Sequence, residues 1–97
     1  MSYLTAQNIV DAEVALTGAL KEHHDARAAY QLAEDAIWFG CQDPKEIGPN
    51  EAVRAAYIRN ECAAQFKRLQ KAELDLAVER VHFKAVELIV EAEWGKG

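Results

Sequence analysis

The stretch Gly40-Cys41-Gln42-Asp43-Pro44-Lys45-Glu46-Ile47-Gly48-Pro49-Asn50 divides this chain of 97 residues into two long segments. It contains both prolines and two of the five glycines of the sequence. Because proline and glycine interrupt helices, their concentration in one stretch predicts a single joint. Within the joint, Asp43-Pro44 predicts a short helical turn, since Asp caps a helix and Pro suits its first position.

The segments on either side of the joint predict two helices, at about 5–39 and about 51–94. The first is dominated by Ala, Leu, Glu and Gln, which favour helix, and neither contains a proline. Ser2 or Thr5 is expected to cap the first helix and Asn50 the second, because these side chains accept hydrogen bonds from free backbone amides.

In both predicted helices, the residues expected to form the contact between the helices, which we call the seam, recur at regular spacing. In helix one, two positions three residues apart recur every seven residues: Ile9, Leu16, His23, Tyr30 and Ile37, and Ala12, Ala19, Ala26 and Ala33. Helix two has a matching stripe, interrupted at Glu79 and Arg80: Ile58, Cys62, Phe66, Leu69, Ala72, Leu76, Phe83, Val86, Val90 and Trp94. These spacings are those of one buried helical face, and they predict a tight, coiled-coil-like packing of the two helices.

The C-terminal half of helix two carries a second apolar stripe. At about 100° per residue, Leu74 and Val78 of this stripe lie nearly opposite Leu76. A helix that is apolar on two faces is buried on both, whereas a single hairpin offers one covering surface. We therefore expect a homodimer or tetramer, most simply a four-helix bundle, with an oligomer interface formed by Leu74, Val78, Val81, Ala85 and Leu88.

An acidic section, a basic section and a second acidic section follow one another along the chain, and the net charge is −5. The basic section contains Arg54, Arg59, Lys67, Arg68 and Lys71. These side chains are candidates for contact with nucleic acid or with an acidic partner protein. We favour the alternative that they pair with acids of helix one such as Glu34 and Asp35. The acidic balance of the whole chain also argues against a dedicated binder of duplex nucleic acid.

The sequence offers little material for catalysis or metal binding. The adjacent His23 and His24 point about 100° apart on a helix, and together with Cys41, Cys62 and His82 they match no zinc signature. The chain has one serine and no glycine-rich phosphate loop. We therefore expect a protein that is not an enzyme, with no catalytic residues, no metal and no cofactor.

Targeting signals are also missing from the sequence. No apolar run approaches the roughly 18–20 residues of a membrane span. The first ten residues lack the basic start and apolar block of a signal peptide. We therefore expect a cytoplasmic protein that has no membrane partner.

Trp38-Phe39-Gly40 lies between the two predicted helices. This motif resembles that of the WXG-type helical hairpins exported by specialised bacterial secretion systems. The resemblance implies that Trp38 and Gly40 form the motif at the turn between the helices. In that family the turn is short, whereas here a longer segment with two prolines intervenes.

A second motif runs from Gly48 to Ile58. It is similar to the joint of small phage and prophage proteins, in which a Gly-x-Asn-x-x-x-Arg-type segment connects two helices. The matching residues are Gly48, Asn50, Glu51, Arg54 and Ile58. The resemblance implies an accessory protein of a mobile element, acting in the cytoplasm of a bacterial host cell, and it assigns no site residues.

These features predict an all-α protein with a single domain, 1–97, that folds as an antiparallel two-helix hairpin and oligomerises into a helical bundle. The expected function is that of a non-enzymatic interaction or accessory protein, of phage origin, which binds a partner protein as a helical oligomer. A nucleic-acid accessory factor with a basic patch near the joint is the second alternative. A WXG-type secreted hairpin is the third.

Overall fold

The computed structural model describes residues 5–94, and this part of the chain is helical with no strand. The elements are α1 (Ala6–Phe39), a short 3-10 turn (Pro44–Glu46), α2 (Glu51–Glu61) and α3 (Ala63–Trp94). The all-α prediction is confirmed.

Helix α1 begins with a reciprocal cap between two side chains. The backbone amide of Asn8 donates to Oγ1 of Thr5 at 3.2 Å, and the amide of Thr5 donates to Oδ1 of Asn8 at 2.9 Å. Two backbone donors at the helix start are thereby satisfied. Thr5 is confirmed as a cap, whereas Ser2, the alternative, lies outside the described residues.

The joint contains the short turn that its sequence predicts. The side chain of Asp43 accepts a hydrogen bond from the amide of Lys45 at 3.0 Å, and Pro44 occupies the first position of the turn. The turn closes with a bond from the amide of Ile47 to the carbonyl of Pro44 at 3.1 Å. Asn50 then caps α2, because its Oδ1 accepts from the amide of Val53 at 3.0 Å. Both predicted caps are confirmed.

Cys62 separates α2 from α3, where the sequence predicts one continuous helix over 51–94. Its ψ angle of 28° departs from the helical value of about −42°. Two helical backbone hydrogen bonds still involve this residue. The amide of Cys62 donates to the carbonyl of Ile58, and the amide of Phe66 donates to the carbonyl of Cys62. The interruption is therefore a change of backbone conformation at one residue. The side chain of Cys62 is buried.

The contacts divide the chain into two compact units. Unit 1 comprises Met1–His23 and Ala72–Gly97, of which residues 5–23 and 72–94 are described. In it, the first part of α1 packs against the last part of α3. Unit 2 comprises His24–Lys71 and contains the rest of α1, the joint, α2 and the start of α3.

The core of unit 1 is narrow. Ala12 on α1 and Leu76 on α3 are buried, together with Ala72 and Val86. Ile9, Leu16, Ala19 and His23 of the predicted α1 seam are half-buried around them. His23 Nε2 lies 3.9 Å from a carboxylate oxygen of Glu73. The predicted burial of this face of α1 is therefore confirmed, and its contact surface consists of small and medium side chains.

The core of unit 2 follows the same pattern. Ala26, Ile58 and Cys62 are buried, and Tyr30, Ala33 and Ile37 of the α1 seam are half-buried. The rings of Tyr30 and Phe66 pack at a tilt, with centroids 5.8 Å apart. In unit 1, one residue of the predicted helix-two stripe is exposed, namely Trp94, the last residue of α3.

Among the described helices, none combines the length and the apolar character that crossing a membrane would require.

Candidate functional site

The second stripe of α3 is exposed in the structure. We call it the outer stripe and define it as Leu74, Val78, Val81, Ala85 and Leu88. The exposed fractions of its large side chains are 65% for Leu74, 56% for Val78, 71% for Val81 and 52% for Leu88. Scattered exposed apolar residues are ordinary, but a continuous row of them typically marks a contact surface.

The outer stripe lies on the face of α3 that is turned away from α1. The buried residues Ala72, Leu76 and Val86 form the opposite face of the same helix. Part of the stripe forms a shallow, open depression of about 410 Å³, lined by Arg80, Val81, Lys84, Ala85 and Leu88. The cations of Arg80 and Lys84 therefore border an apolar floor.

Several of the basic residues near the joint make contacts within the molecule. Nη1 of Arg54 donates to the carbonyl oxygen of Gly48 at 3.0 Å. The guanidinium of Arg59 lies over the ring of Phe66, 5.3 Å from its centroid. Arg68 also has an interaction partner. At least three of the five predicted contact residues are thus engaged within the molecule.

The remaining two predicted contacts, Lys67 and Lys71, are exposed. Lys67 borders a shallow pocket of about 340 Å³ that also contains Arg59 and Phe66. Of the acids expected to pair with these bases, Asp35 accepts a hydrogen bond from Gln31 on its own helix at 2.9 Å.

A groove within unit 2 is formed by three elements around the joint. We call it the joint groove, and it has a volume of about 400 Å³. Helix α1 contributes two residues four apart, and α2 contributes four residues of one face. The lining consists of Glu34 and Trp38 from α1, Pro44 from the 3-10 turn, and Glu51, Arg54, Ala55 and Ile58 from α2.

The joint groove combines an apolar floor with charged edges. Trp38 is half-buried and Ile58 is buried, whereas Glu51 is exposed at the start of α2. This site was not predicted from the sequence. The helical spacing shows which residues share a face of each helix, but only the path of the joint brings the two faces together.

Burial and the charge of Glu34 both raise the pKa values of two side chains in the core of unit 2. Burial, followed by the negative charges of Glu34 and Glu61, raises the pKa of the Cys62 thiol. Burial, followed by the charge of Glu34, also raises the pKa of Tyr30. Cys62 is therefore a protonated, apolar component of the core at neutral pH, and its thiol is poorly suited to act as a nucleophile.

Glu79 interrupts the helix-two stripe in the sequence, and the structure places it in the seam. It is half-buried, and its Oε2 atom is buried without a hydrogen-bond partner. Nδ1 of His82 lies 3.7 Å away from this oxygen. The sequence indicates a gap in the stripe at this position, and the structure shows a half-buried carboxylate there.

Within residues 5–94, no group of three or more histidine, cysteine or acidic side chains is placed to hold a metal ion. His23 and His82 instead lie near the carboxylates of Glu73 and Glu79.

Comparison of the chain with known protein families, with curated proteins and with solved structures finds no match. A function is therefore inferred from the surfaces of the molecule itself.

Proposed function

We propose that this chain is a non-enzymatic interaction protein that works as a helical homo-oligomer, in which the outer stripe of each copy packs against another copy. The observation that carries this proposal is the exposure of four large apolar side chains in one row on α3. The row lies opposite the face that already packs on α1, so the fold itself leaves it uncovered.

The size of the exposed surface supports association. Fully burying a Val or Leu side chain contributes about 1.5–3 kcal/mol, and more than half of each side chain in the row is still exposed. Covering four such side chains on each protomer therefore contributes several kcal/mol, which is comparable with the whole stability of a small domain.

The core of each unit contains few large buried side chains, and this supports the same proposal. Three of the buried apolar residues in the described part are alanines, Ala12, Ala26 and Ala72. The largest side chain with less than 2% exposure there is that of Cys62. Small domains with little buried area often gain stability from a second chain.

The proposed oligomer also binds another protein, a role that fits an accessory protein of the kind that the resemblance to phage hairpins implies. The nucleic-acid alternative has less support, because the guanidinium groups of Arg54 and Arg59 are engaged with Gly48 and Phe66. Cations that are already used within a fold contribute less to phosphate binding than free ones.

Co-expression of two differently tagged copies tests the proposed self-association. Capture on one tag should retain the second copy for the unchanged protein. A paired Val81→Asp and Leu88→Asp variant of both copies should lose this retention, because it places carboxylates in the apolar row. Val10→Asp, an exposed position on α1, is the matched control and should retain the second copy. Failure of the unchanged copies to co-purify, or retention by the paired variant, would contradict the proposal.

A further inference from the structure

The outer stripe has an order of side-chain sizes that matches its own reverse. Its spacing of four and three residues continues one step further, to Ala92, which is also exposed on α3. From one end to the other, the row reads Leu74, Val78, Val81, Ala85, Leu88 and Ala92. All six residues lie in unit 1 and on one helix, so the geometry of that helix determines their spacing.

A parallel pairing of two such rows would pack unevenly. In a parallel dimer with a two-fold axis along the helices, each residue of the row faces its own copy. Ala85 then faces Ala85, and Ala92 faces Ala92. Two of the six layers contain only alanine, and the gaps that such layers leave between larger neighbours cost stability.

An antiparallel pairing removes these gaps. When the two rows cross at the level of Phe83, every alanine of the row lies against a larger side chain of the second copy. The facing pairs are Leu74 with Ala92, Val78 with Leu88, and Val81 with Ala85. Alternation of large and small side chains across facing positions is the arrangement that fills an interface.

The antiparallel pairing also has a preferred register. Because the row repeats every seven residues, the next registers are displaced by seven residues in either direction. One of them leaves Leu74 without a counterpart in the row, and the other leaves Leu88 without one. The crossing at Phe83 is the register that covers all four large side chains, whose exposed fractions are between 52% and 71%.

The charges along one edge of the row agree with this register. Arg80 and Lys84 border the row, and Glu87 follows on the same edge, 3.9 Å from Lys84. In an antiparallel pair each edge faces the same edge of the other helix, and charges at the edges help to set orientation. Arg80 then lies at the level of Glu87 of the second copy, and the two-fold axis repeats this pairing of opposite charges. The two copies of Lys84 come near the axis, where each has its own Glu87 as a counter-charge.

From these features we infer that the outer stripe is covered by a second copy of this chain in antiparallel orientation, with the two-fold axis at the level of Phe83. Each α3 packs along the other from Leu74 to Ala92, and each pair of facing residues occurs twice. This inference rests on the proposed function, since it specifies the orientation and the residue pairs of the proposed self-association.

Cross-linking of single cysteines measures this orientation directly. The background is Cys41→Ser, and the buried Cys62 stays in place. Two differently tagged copies carry Val78→Cys and Leu88→Cys, and a short bismaleimide links cysteines that face each other. In the antiparallel pair, Val78 faces Leu88, whereas the two copies of Val78 lie about 15 Å apart along the helices. The mixture should therefore give at least about tenfold more cross-linked dimer than either variant alone, because a short link requires close cysteines.

Val14→Cys provides the matched control. It lies at an exposed position of α1, and it should give no cross-linked dimer with Leu88→Cys. Circular dichroism of each variant shows whether the helices are retained, so a missing cross-link is not confused with unfolding.

Sedimentation of the same samples before cross-linking separates this inference from the proposed function. An oligomer in which Val78→Cys or Leu88→Cys links to its own copy would overturn the antiparallel orientation and leave self-association intact. An oligomer whose mixed copies form no cross-linked dimer would also overturn the inference alone. A well-folded monomer would contradict both proposals.

Discussion

Nη1 of Arg54 donates a hydrogen bond to the carbonyl oxygen of Gly48 at 3.0 Å, and this bond ties the first turn of α2 to the joint before it. Asn50 caps the same turn. A Cβ atom at Gly48 would lie only 2.7 Å from Cγ1 of Val53 and 3.2 Å from the amide nitrogen of Arg54. The Gly48-x-Asn50-x-x-x-Arg54 motif is therefore a compact structural connection, in which each of the three residues has a physical role.

Replacing Gly48 by alanine tests this close packing. We expect Gly48→Ala to lower the free energy of unfolding by about 1–3 kcal/mol, because the added methyl group must displace Val53 or the start of α2. Urea denaturation monitored by circular dichroism, at a fixed protomer concentration, measures the change.

Gly18 provides the matched control within the same chain. A Cβ atom at Gly18 meets nothing within 4 Å, and the residue lies in the interior of α1. Gly18→Ala should therefore raise the free energy of unfolding by about 0.5–1 kcal/mol. Equal effects of the two substitutions would show that the joint is not closely packed at Gly48.

The starts of the helices could be predicted from the sequence because they depend on local chemistry. Thr5, Asp43 and Asn50 each accept hydrogen bonds from amides two or three residues away, so a short stretch of sequence determines them. The buried face of α1 was also predictable, since its seven-residue repeat reflects the geometry of a single helix.

Features that depend on tertiary packing could not be predicted in this way. Cys62 lies between good helix formers, and nothing in its neighbourhood of the sequence marks the end of α2. The contact of Arg54 with Gly48 depends on the path of the joint, as does the groove that contains Trp38. The outer stripe was predicted as an apolar row, and its self-association remains a proposal.

Leu76 tests the core of unit 1. Its side chain is 4% exposed, so Leu76→Ala should lower the free energy of unfolding by about 2–5 kcal/mol through lost burial and a residual cavity. Leu32, at 71% exposure, provides the control for the same chemical change. Leu32→Ala should alter the free energy of unfolding by no more than about 0.5 kcal/mol. A loss below 1 kcal/mol at Leu76 would contradict the assigned core.

Glu79 offers a substitution that should stabilise the fold. Its Oε2 atom is buried without a hydrogen-bond partner, and a buried polar group in this state costs about 1–3 kcal/mol. Glu79→Leu continues the apolar stripe of α3 and should raise the free energy of unfolding by about 1 kcal/mol. Glu91→Leu, at an exposed position of the same helix, should have a smaller effect. A decrease on Glu79→Leu would show that the carboxylate stabilises the seam.

Cys62 should titrate above the ordinary range of a thiol. Burial, with the charges of Glu34 and Glu61 as smaller causes, raises its pKa above the ordinary value of 9.0. The unfolded chain then loses this proton first, so this thiol contributes stability that is complete below pH 9.0 and falls as pH rises above it. The ¹³Cβ chemical shift of isotope-labelled cysteine in a Cys41→Ser variant follows the ionisation of Cys62 alone. A midpoint at or below 9.0 would contradict its burial.

Self-association through the outer stripe is tested most directly by the mass of the protein in solution. Sedimentation equilibrium at micromolar concentration should give at least twice the mass of the 10.8 kDa chain. Val78→Asp should shift the protein towards the single-chain mass, whereas Val14→Asp on α1, at a position of similar exposure, should leave the oligomer intact. A well-folded unchanged protein that sediments at 10.8 kDa would contradict the proposal.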